Sequence, residues 1–575
     1  MNALVARPGR LLYLRSVLVI GQPSRLCGSI QSKWQHSLKQ PWNPERGFSQ
    51  IISNKSPSAF TATEDTIYAL SSGSGRAGIA VIRISGPSCT DIYRALCPGK
   101  KLPKPRYATV RSLYRPQGSE VGSGREILDS EALVLHFPSP KTVTGEDVLE
   151  LHVHGGPATV KAVLAAIPLA SSRQRIRYAE PGEFTKRAFI NNRLDLAQIE
   201  SLSDTLAAET EQQRRAAVRG NSGALGKTYE SWRQQLLLAR GEIEALIDFS
   251  EDQHFDESQS ELLANVTSQV TDILRSIELH ERGSHRSELL RNGIRIALLG
   301  PPNAGKSSLM NLIVGREASI VSGEAGTTRD IVEASLDLRG YLCSFADTAG
   351  FRTKAHQLDT HPMSMIEEEG IRRAKKKARE SDIVMVLASV EDGPGGPIIQ
   401  YDAETLSLAA EAQSCLIVVN KRDAIDAIHL TRLLEDFRNA LKQHAPGLSQ
   451  SRILTISCLE AHAPMLDRDD PGGLQGLVNA LLTTFSSMTE MPVEMQDLLG
   501  VTERQRQLLV KCRGHLSDFM VEAQPADDGS DADSVLAAEY LRYAANCLAR
   551  ITGKGEAGDV EDVLGVVFEK FCVGK

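Results

Sequence analysis

The chain has 575 residues, of which 41% are hydrophobic and 24% charged, with a formal net charge of −7. That balance excludes a wholly disordered or collagen-like chain, and the length suggests three or four domains. No apolar run approaches the roughly 18 residues of a bilayer-crossing helix, and nine cysteines with no C-x-x-C pair give neither a disulfide framework nor a zinc site, which points to a reduced compartment.

Residues 1–60 carry eight Lys/Arg and a single acid, Glu45, with frequent serine and an apolar stretch, Leu11–Ile20, interrupted by Arg15. A basic, Ser-rich, acid-poor leader has the composition of a mitochondrial transit peptide, and Arg15 argues against a secretory signal. Setting those residues aside leaves 57 Lys/Arg against 71 Asp/Glu, out of totals of 65 and 72, a net charge of −14. An acidic chain of this kind does not bind nucleic acid by bulk charge; if RNA is a partner, it is held by a local patch or by another subunit.

Residues 61–191 read as an α+β domain. Thr66–Leu70, Ile79–Ser85, Ala132–Phe137 and Val148–His154 are short, apolar and β-branched, with Gly and Pro between them. Gly73-Ser-Gly-Arg-Ala-Gly78 matches G-x-G-x-x-G, but the strand-like alternation of Ile79–Ser85 follows it where a dinucleotide site needs a helix. His152-x-His154 has no third or fourth ligand nearby and is expected to pack in its strand. Residues 192–290 are helical in pattern, with Gly220, Gly223 and Gly226 marking a break. Residues 291–486 alternate strands and helices as a parallel α/β domain does, and residues 487–575 are helical again, with a loop at Asp527–Asp533. An α/β domain inserted into one helical domain built from two chain segments is the expected architecture.

Gly300-Pro-Pro-Asn-Ala-Gly305-Lys306-Ser307 follows the strand Ile294–Leu299 and opens the helical stretch Ser308–Val314. This is the context of a phosphate-cradling loop: backbone N–H groups of Asn303, Ala304, Gly305 and Ser308 close around phosphate oxygens, Lys306 reaches the β/γ-phosphates, and Ser307 ligates Mg²⁺. Asp347-Thr348-Ala349-Gly350 ends the strand Tyr341–Ala346 and suits the Mg²⁺ shell and the γ-phosphate. Asn420-Lys421-Arg422-Asp423 ends the strand Cys415–Val419, where a carboxylate accepts the guanine N1–H and exocyclic amine. Ser457-Cys458 ends Arg452–Ile456 and suits the loop behind the base. Gly326-Thr327-Thr328 sits where a switch loop belongs, with Thr328 a second hydroxyl for Mg²⁺. In this order the set resembles the translation-factor class of GTPases. Phe351 follows Gly350, where Ras-like enzymes use a water-orienting Gln, so water placement and charge compensation must come from other groups.

A closer resemblance covers residues 65–575. Asp65-Thr-Ile, Ile82-Arg83-Ile-Ser-Gly86, Thr144-Gly-Glu-Asp-Val-Leu-Glu150-Leu with His154-Gly-Gly-Pro157, Pro181-Gly-Glu-Phe-Thr-Lys-Arg-Ala-Phe189, Asn191-Asn-Arg193-Leu-Asp-Leu-Ala-Gln198 and Phe571-Cys572-Val-Gly-Lys575 resemble the MnmE/TrmE family of tRNA uridine-modification GTPases. The leader suggests the family's mitochondrial branch.

The resemblance implies a homodimer working with an FAD-dependent MnmG-type partner. Together they install an aminomethyl-type group at carbon 5 of the wobble uridine of mitochondrial tRNAs. A tetrahydrofolate derivative is the implied one-carbon source, with Arg83, Glu150, Arg193 and Lys575 at folate-contacting positions, Arg193 standing where a lysine is usual. Cys572 matches the family's modification cysteine. Asn303, Ser322, the Glu324 backbone and Thr327 match a K⁺-binding loop, and Glu367 the water-positioning glutamate, with Glu368 and Glu369 as alternatives. Two other classes share the nucleotide loops. A ribosome-assembly GTPase needs an RNA-binding module that the sequence after residue 485 does not suggest. A signalling GTPase would turn over slowly and ignore K⁺.

Overall fold

The computed structural model describes residues 65–116, 126–170, 175–249, 259–321, 335–346, 376–462, 470, 472–523, 533–555, 565 and 574. The leader and the candidate residues Ser322, Glu324, Thr327, Thr328, Asp347, Thr348, Ala349, Gly350, Glu367, Cys572 and Lys575 lie outside them.

Six strands form the first sheet: β1 (Thr66–Leu70), β2 (Ile79–Ser85), β3 (Thr109–Tyr114), β4 (Ile127–Phe137), β5 (Val148–His154) and β6 (Ile176–Tyr178), in the order β3-β4-β5-β2-β1-β6. Every neighbouring pair is antiparallel except β1 with β6. Alternation sets the two faces. Ala80, Ile82 and Ile84 of β2 and Leu149, Leu151 and Val153 of β5 turn into a core capped by helices Cys89–Leu96 and Pro157–Ala166. Each fully buried Ile or Leu there contributes about 1.5–3 kcal/mol. The opposite face carries Arg83, Glu150 and His152, with a small apolar cluster of Ile67, Ala69, Ala179 and Phe184 beside them.

The second sheet has β7 (Ile294–Leu299), β8 (Ala318–Ile320), β9 (Ser335–Leu338), β10 (Tyr341–Ala346), β11 (Ile383–Gly393), β12 (Gly396–Gln400), β13 (Cys415–Asn420) and β14 (Ile453–Thr455). The order is β14-β13-β11-β7-β10-β9-β8, with β12 paired to β11. The central strands are parallel, and the first eight residues of β11 are all buried. Helices cover both faces: Leu309, Leu312, Leu477 and Phe485 on one, Leu406, Phe437 and Leu441 on the other. That burial explains why these strands read as unbroken apolar runs.

Between the sheets in sequence come helices Leu196–Ala207, Glu211–Gly220, Ala224–Phe249 and Gln259–Asn292; after the second sheet come Glu503–Ala523 and Ser534–Thr552. One core joins Leu225, Tyr229, Leu236, Val266 and Ile277 to Leu509, Phe519, Leu541 and Ile551. The sequence break lies at Gly220–Gly223, whereas Gly226 lies inside a helix. A Cβ at Gly226 would stand 2.1 Å from Asp195 Oδ2, so close packing is what requires glycine there. Gly340, in the β9–β10 turn, accepts the N–H of Gln212 at 3.1 Å, which seats helix Glu211–Gly220 on the second sheet, and Arg291 bonds Asp204 at 2.7 Å, which ties helix Gln259–Asn292 to Leu196–Ala207. No helix among the described residues is long and apolar enough to cross a membrane.

Candidate functional site

The phosphate loop leaves β7 at Gly300 and enters helix Lys306–Arg316. Three residues adopt positive φ: Gly300 at 150°, Asn303 at 63° and Gly305 at 99°. The two glycines are required twice over. A Cβ on Gly300 would lie 2.1 Å from Leu387 O, and one on Gly305 2.2 Å from Asn420 Nδ2. No side chain caps the helix, so its first N–H groups point into the loop. Lys306 Nζ donates to Gly300 O and Pro301 O, both at 2.8 Å, and burial lowers its pKa. Asn303, Ser307 and Ser308 are exposed beside it, and Ala304 is buried.

Asn420 ties the loops of the base site together. Its buried amide donates to Ala304 O at 2.8 Å and accepts the Cys458 N–H at 3.2 Å. Ser457 is buried; its hydroxyl accepts the Glu460 N–H at 2.9 Å. Burial pushes the Cys458 thiol up, so it stays a neutral packing group. Asp423 stands exposed in the turn Arg422–Ala424, free to meet a base edge. Lys421, at φ 62°, pairs with Glu391, whose carboxyl that bond holds low. Sequence reasoning missed Glu391 because the β11–β12 hairpin that presents it is rich in Gly and Pro and reads as a loop.

On the first sheet, Arg83 and Glu150 are cross-strand partners, and Arg83 Nε bonds Glu150 Oε1 at 2.9 Å. The Arg83 guanidinium lies 6.0 Å from the Phe184 ring centroid, and His152 Nε2 lies 3.5 Å from Glu150 Oε2. Arg193 stands apart from this pair: its Nε donates to Thr142 O at 2.9 Å. At the end of β1, Ser71 Oγ donates to Gly574 O at 2.6 Å, which brings Gly574 to the strand beside Arg83.

The other motif acids of this region build a buried ion network. Arg187 Nη2 bonds Asp65 Oδ1 at 2.7 Å and Glu183 Oε1 at 3.2 Å, and its Nη1 bonds Glu146 Oε2 at 3.0 Å. Arg177 bonds Asp65 at 2.6 Å and Glu183 at 2.5 Å. Burial works against ionisation of Asp65 and Glu183, but the bonds from the two arginines outweigh it, and both carboxyls lie below their ordinary range. His154, expected to pack in its strand, is exposed and bonded to the buried Asp129.

The family described as GTP-binding protein TrmE N-terminus matches residues 66–193, and the MnmE helical domain matches residues 196–572. The chain is 36% identical over 518 residues to the zebrafish (Danio rerio) 5-taurinomethyluridine-[tRNA] synthase subunit GTPB3, mitochondrial, covering 89% of this chain and 93% of the relative. It is 39% identical over 514 residues to the tRNA modification GTPase MnmE of Paramagnetospirillum magneticum, covering 89% of this chain and 100% of the relative. It is 34% identical over 529 residues to the mitochondrial tRNA modification GTPase MSS1 of Saccharomyces cerevisiae, covering 90% and 94%. With its nucleotide loop and base-site loops, the chain belongs to the MnmE/TrmE family of tRNA-modification GTPases, on its mitochondrial branch.

Proposed function

We propose that the chain spends GTP hydrolysis on placing an aminomethyl-type group at carbon 5 of the wobble uridine of mitochondrial tRNAs. It acts as a homodimer with an FAD-dependent MnmG-type partner and a tetrahydrofolate one-carbon donor. The observation that carries this reading is the half-buried Arg83–Glu150 pair on the sheet face opposite the main core, with Gly574 bonded at the end of β1 in the same sheet. A guanidinium suits a glutamyl carboxylate and a carboxylate suits the N–H edge of a pterin, so the residues fit a folate. Arg193 and Lys575 complete the proposed set, and Cys572 is placed with them in the modification step. The domain division proposed with it is residues 61–191, 192–290, 291–486 and 487–575.

At the nucleotide, Lys306 neutralises phosphate charge. Ser307 and Thr328 supply hydroxyls of the kind Mg²⁺ takes, and Asp347 supplies a carboxylate. Asn303, Ser322, the Glu324 backbone and Thr327 offer oxygens to K⁺, which would add positive charge where Phe351 leaves no orienting side chain. Glu367, or its neighbours Glu368 and Glu369, orients water. Asp423 selects guanine, and Asn420 and Ser457-Cys458 hold its loop.

Nucleoside mass spectrometry of mitochondrial tRNA from cells lacking the protein tests this. The wobble uridine modification should disappear, and the mass of the missing group tells a taurine-derived from a glycine-derived product. Normal modification in those cells overturns the reading. GTP turnover by the purified chain should rise when Na⁺ is replaced by K⁺; indifference to the cation would point to the signalling class.

A further inference from the structure

Side chains alternate along β5, so Glu150, His152 and His154 share one face. Glu150 and its partner Arg83 occupy one end of this row. His154 stands four residues on, about 13 Å away at roughly 3.3 Å per residue. Its side chain is 64% exposed, yet its ring is fixed. The Asp129 carboxylate on β4, only 1% exposed, lies 2.9 Å from His154 Nδ1. The same carboxylate accepts the backbone N–H of His154 at 2.8 Å and of Glu131 at 3.0 Å. Burial opposes its ionisation, but these bonds together outweigh burial and keep it below the ordinary carboxyl range.

An ionised carboxylate only accepts hydrogen bonds, so Nδ1 carries the ring proton and Nε2 presents its lone pair away from Asp129. A buried carboxylate that fixes the tautomer and orientation of an imidazole, with the other nitrogen open, is how a proton acceptor is held. The backbone is pinned as well. Gly155 donates to Gly78 O at 3.2 Å and accepts from Ala77 N at 3.1 Å, and a Cβ at Gly155 would lie 2.4 Å from Ala77 O. The glycine loop 73–78, which matches a dinucleotide motif without being one, thus serves as a strut for the His154 backbone. An exposed ring adds little to the core, so burying a carboxylate beneath it is hard to explain by packing alone.

We propose that His154 is a catalytic proton acceptor of the one-carbon step and Asp129 its positioning residue; this rests on the folate reading above. Glu150, oriented by its bond from Arg83, recognises the pterin edge, and the carbon-bearing nitrogens extend along the face toward His154. Uracil C5 forms a bond to the methylene carbon of a tetrahydrofolate iminium, and the iminium π pair moves to nitrogen. The C5–H bond then breaks, its electron pair restores the C5–C6 double bond, and the proton passes to Nε2. Nothing is oxidised or reduced in this step.

The test uses the full-length chain with its flavoprotein partner and unmodified tRNA. H154N is the informative variant, because an Asn amide can still donate to Asp129 from the Nδ1 position while the Nε2 lone pair is gone. Its single-turnover modification rate should fall roughly 100-fold or more. GTP turnover and binding of folinic acid, measured by titration calorimetry, should stay within about threefold of wild type. H154A should regain rate when imidazole is added, a rescue that a structural role does not permit. D129N should lower the rate without changing folinic acid affinity. Modification by H154N near the wild-type rate overturns the proposal, as does a loss that imidazole does not restore or that follows a loss of folinic acid binding. R83A separates the two readings: if it leaves folinic acid binding intact, the folate face itself is wrong.

Discussion

Arg187 is the residue on which the first sheet's motif loops converge, and replacing it by methionine gives a quantitative test. Its side chain is 2% exposed and contacts three carboxylates, Asp65, Glu146 and Glu183, that come from three separate stretches of chain. In R187M the stem is replaced by a chain of similar length, so packing changes little. The three acids remain, with Arg177 still paired to Asp65 and Glu183, and Glu146 left with the Ser85 hydroxyl at 2.8 Å. Removing one partner of a buried ion network costs about 3–5 kcal/mol. For a domain of this size that is a fall of roughly 6–20 °C in the transition that includes this sheet. The pH dependence adds a second check. Asp65 and Glu183 lie below their unfolded values, so the unfolded chain binds more protons. Their contribution is therefore present above about pH 4 and is lost as pH falls through the folded values. R187M removes part of what holds those carboxyls low while Arg177 stays, so they rise and the gap between variant and wild type should narrow as pH falls toward 4 and below. Urea unfolding monitored at both pH values reads both quantities. A loss below about 1 kcal/mol, or a gap independent of pH, would refute the account of this network.

Other outcomes follow from the same geometry. D423N exchanges a carboxylate for an amide at the base edge. GDP affinity should fall about 10–100-fold, the worth of 1.5–3 kcal/mol, while xanthosine diphosphate, whose C2 carbonyl needs a donor, should gain; fluorescent-nucleotide displacement measures both. G574A forces a Cβ to 2.1 Å from Leu70 O at a φ of 99° and should dislodge the terminal segment. Modification of tRNA in the reconstituted reaction should then fall while GTP turnover holds; equal loss of both would count against a separate docking role. His280 is pushed down to about 4 by burial against Tyr229 and Trp232. The unfolded chain therefore takes up the proton first, and about 3 kcal/mol of stability should drain away between pH 6.5 and 4. H280F should flatten that part of a urea-midpoint-versus-pH curve, and an unchanged slope would show that the ring is not held neutral.

Much of this arrangement was legible in the sequence wherever one physical rule acts alone. Thr66–Leu70, Ile79–Ser85, Val148–His154, Ile294–Leu299 and Tyr341–Ala346 are strands at the limits their alternation or apolar runs suggest. The G-x-G-x-x-G decoy was separable because a strand follows it. Tertiary pairing was not legible. β3 and the β11–β12 hairpin carry Arg, Ser, Gly and Pro, and only the neighbouring strands make them regular. β4 begins five residues before the apolar run that announced it, because the stretch from Ile127 is half exposed. The acids of the motifs were visible, but not that Glu146 and Glu183 serve Arg187, nor that Asp129 serves His154. Glu183 and Arg187 stand four apart on one helix, but Glu146 with Arg187 and Asp129 with His154 are 41 and 25 positions apart across loops, and no local periodicity records those two pairings.

The seat of Gly574 against Ser71 has a consequence for biogenesis. Ser71 is made 503 residues before Gly574, so this contact of the first sheet closes only after both helical segments and the second sheet have been synthesised. A chain cut just before Gly574 keeps every core layer described above and loses only that contact. If the proposed function holds, such a chain hydrolyses GTP yet leaves tRNA unmodified.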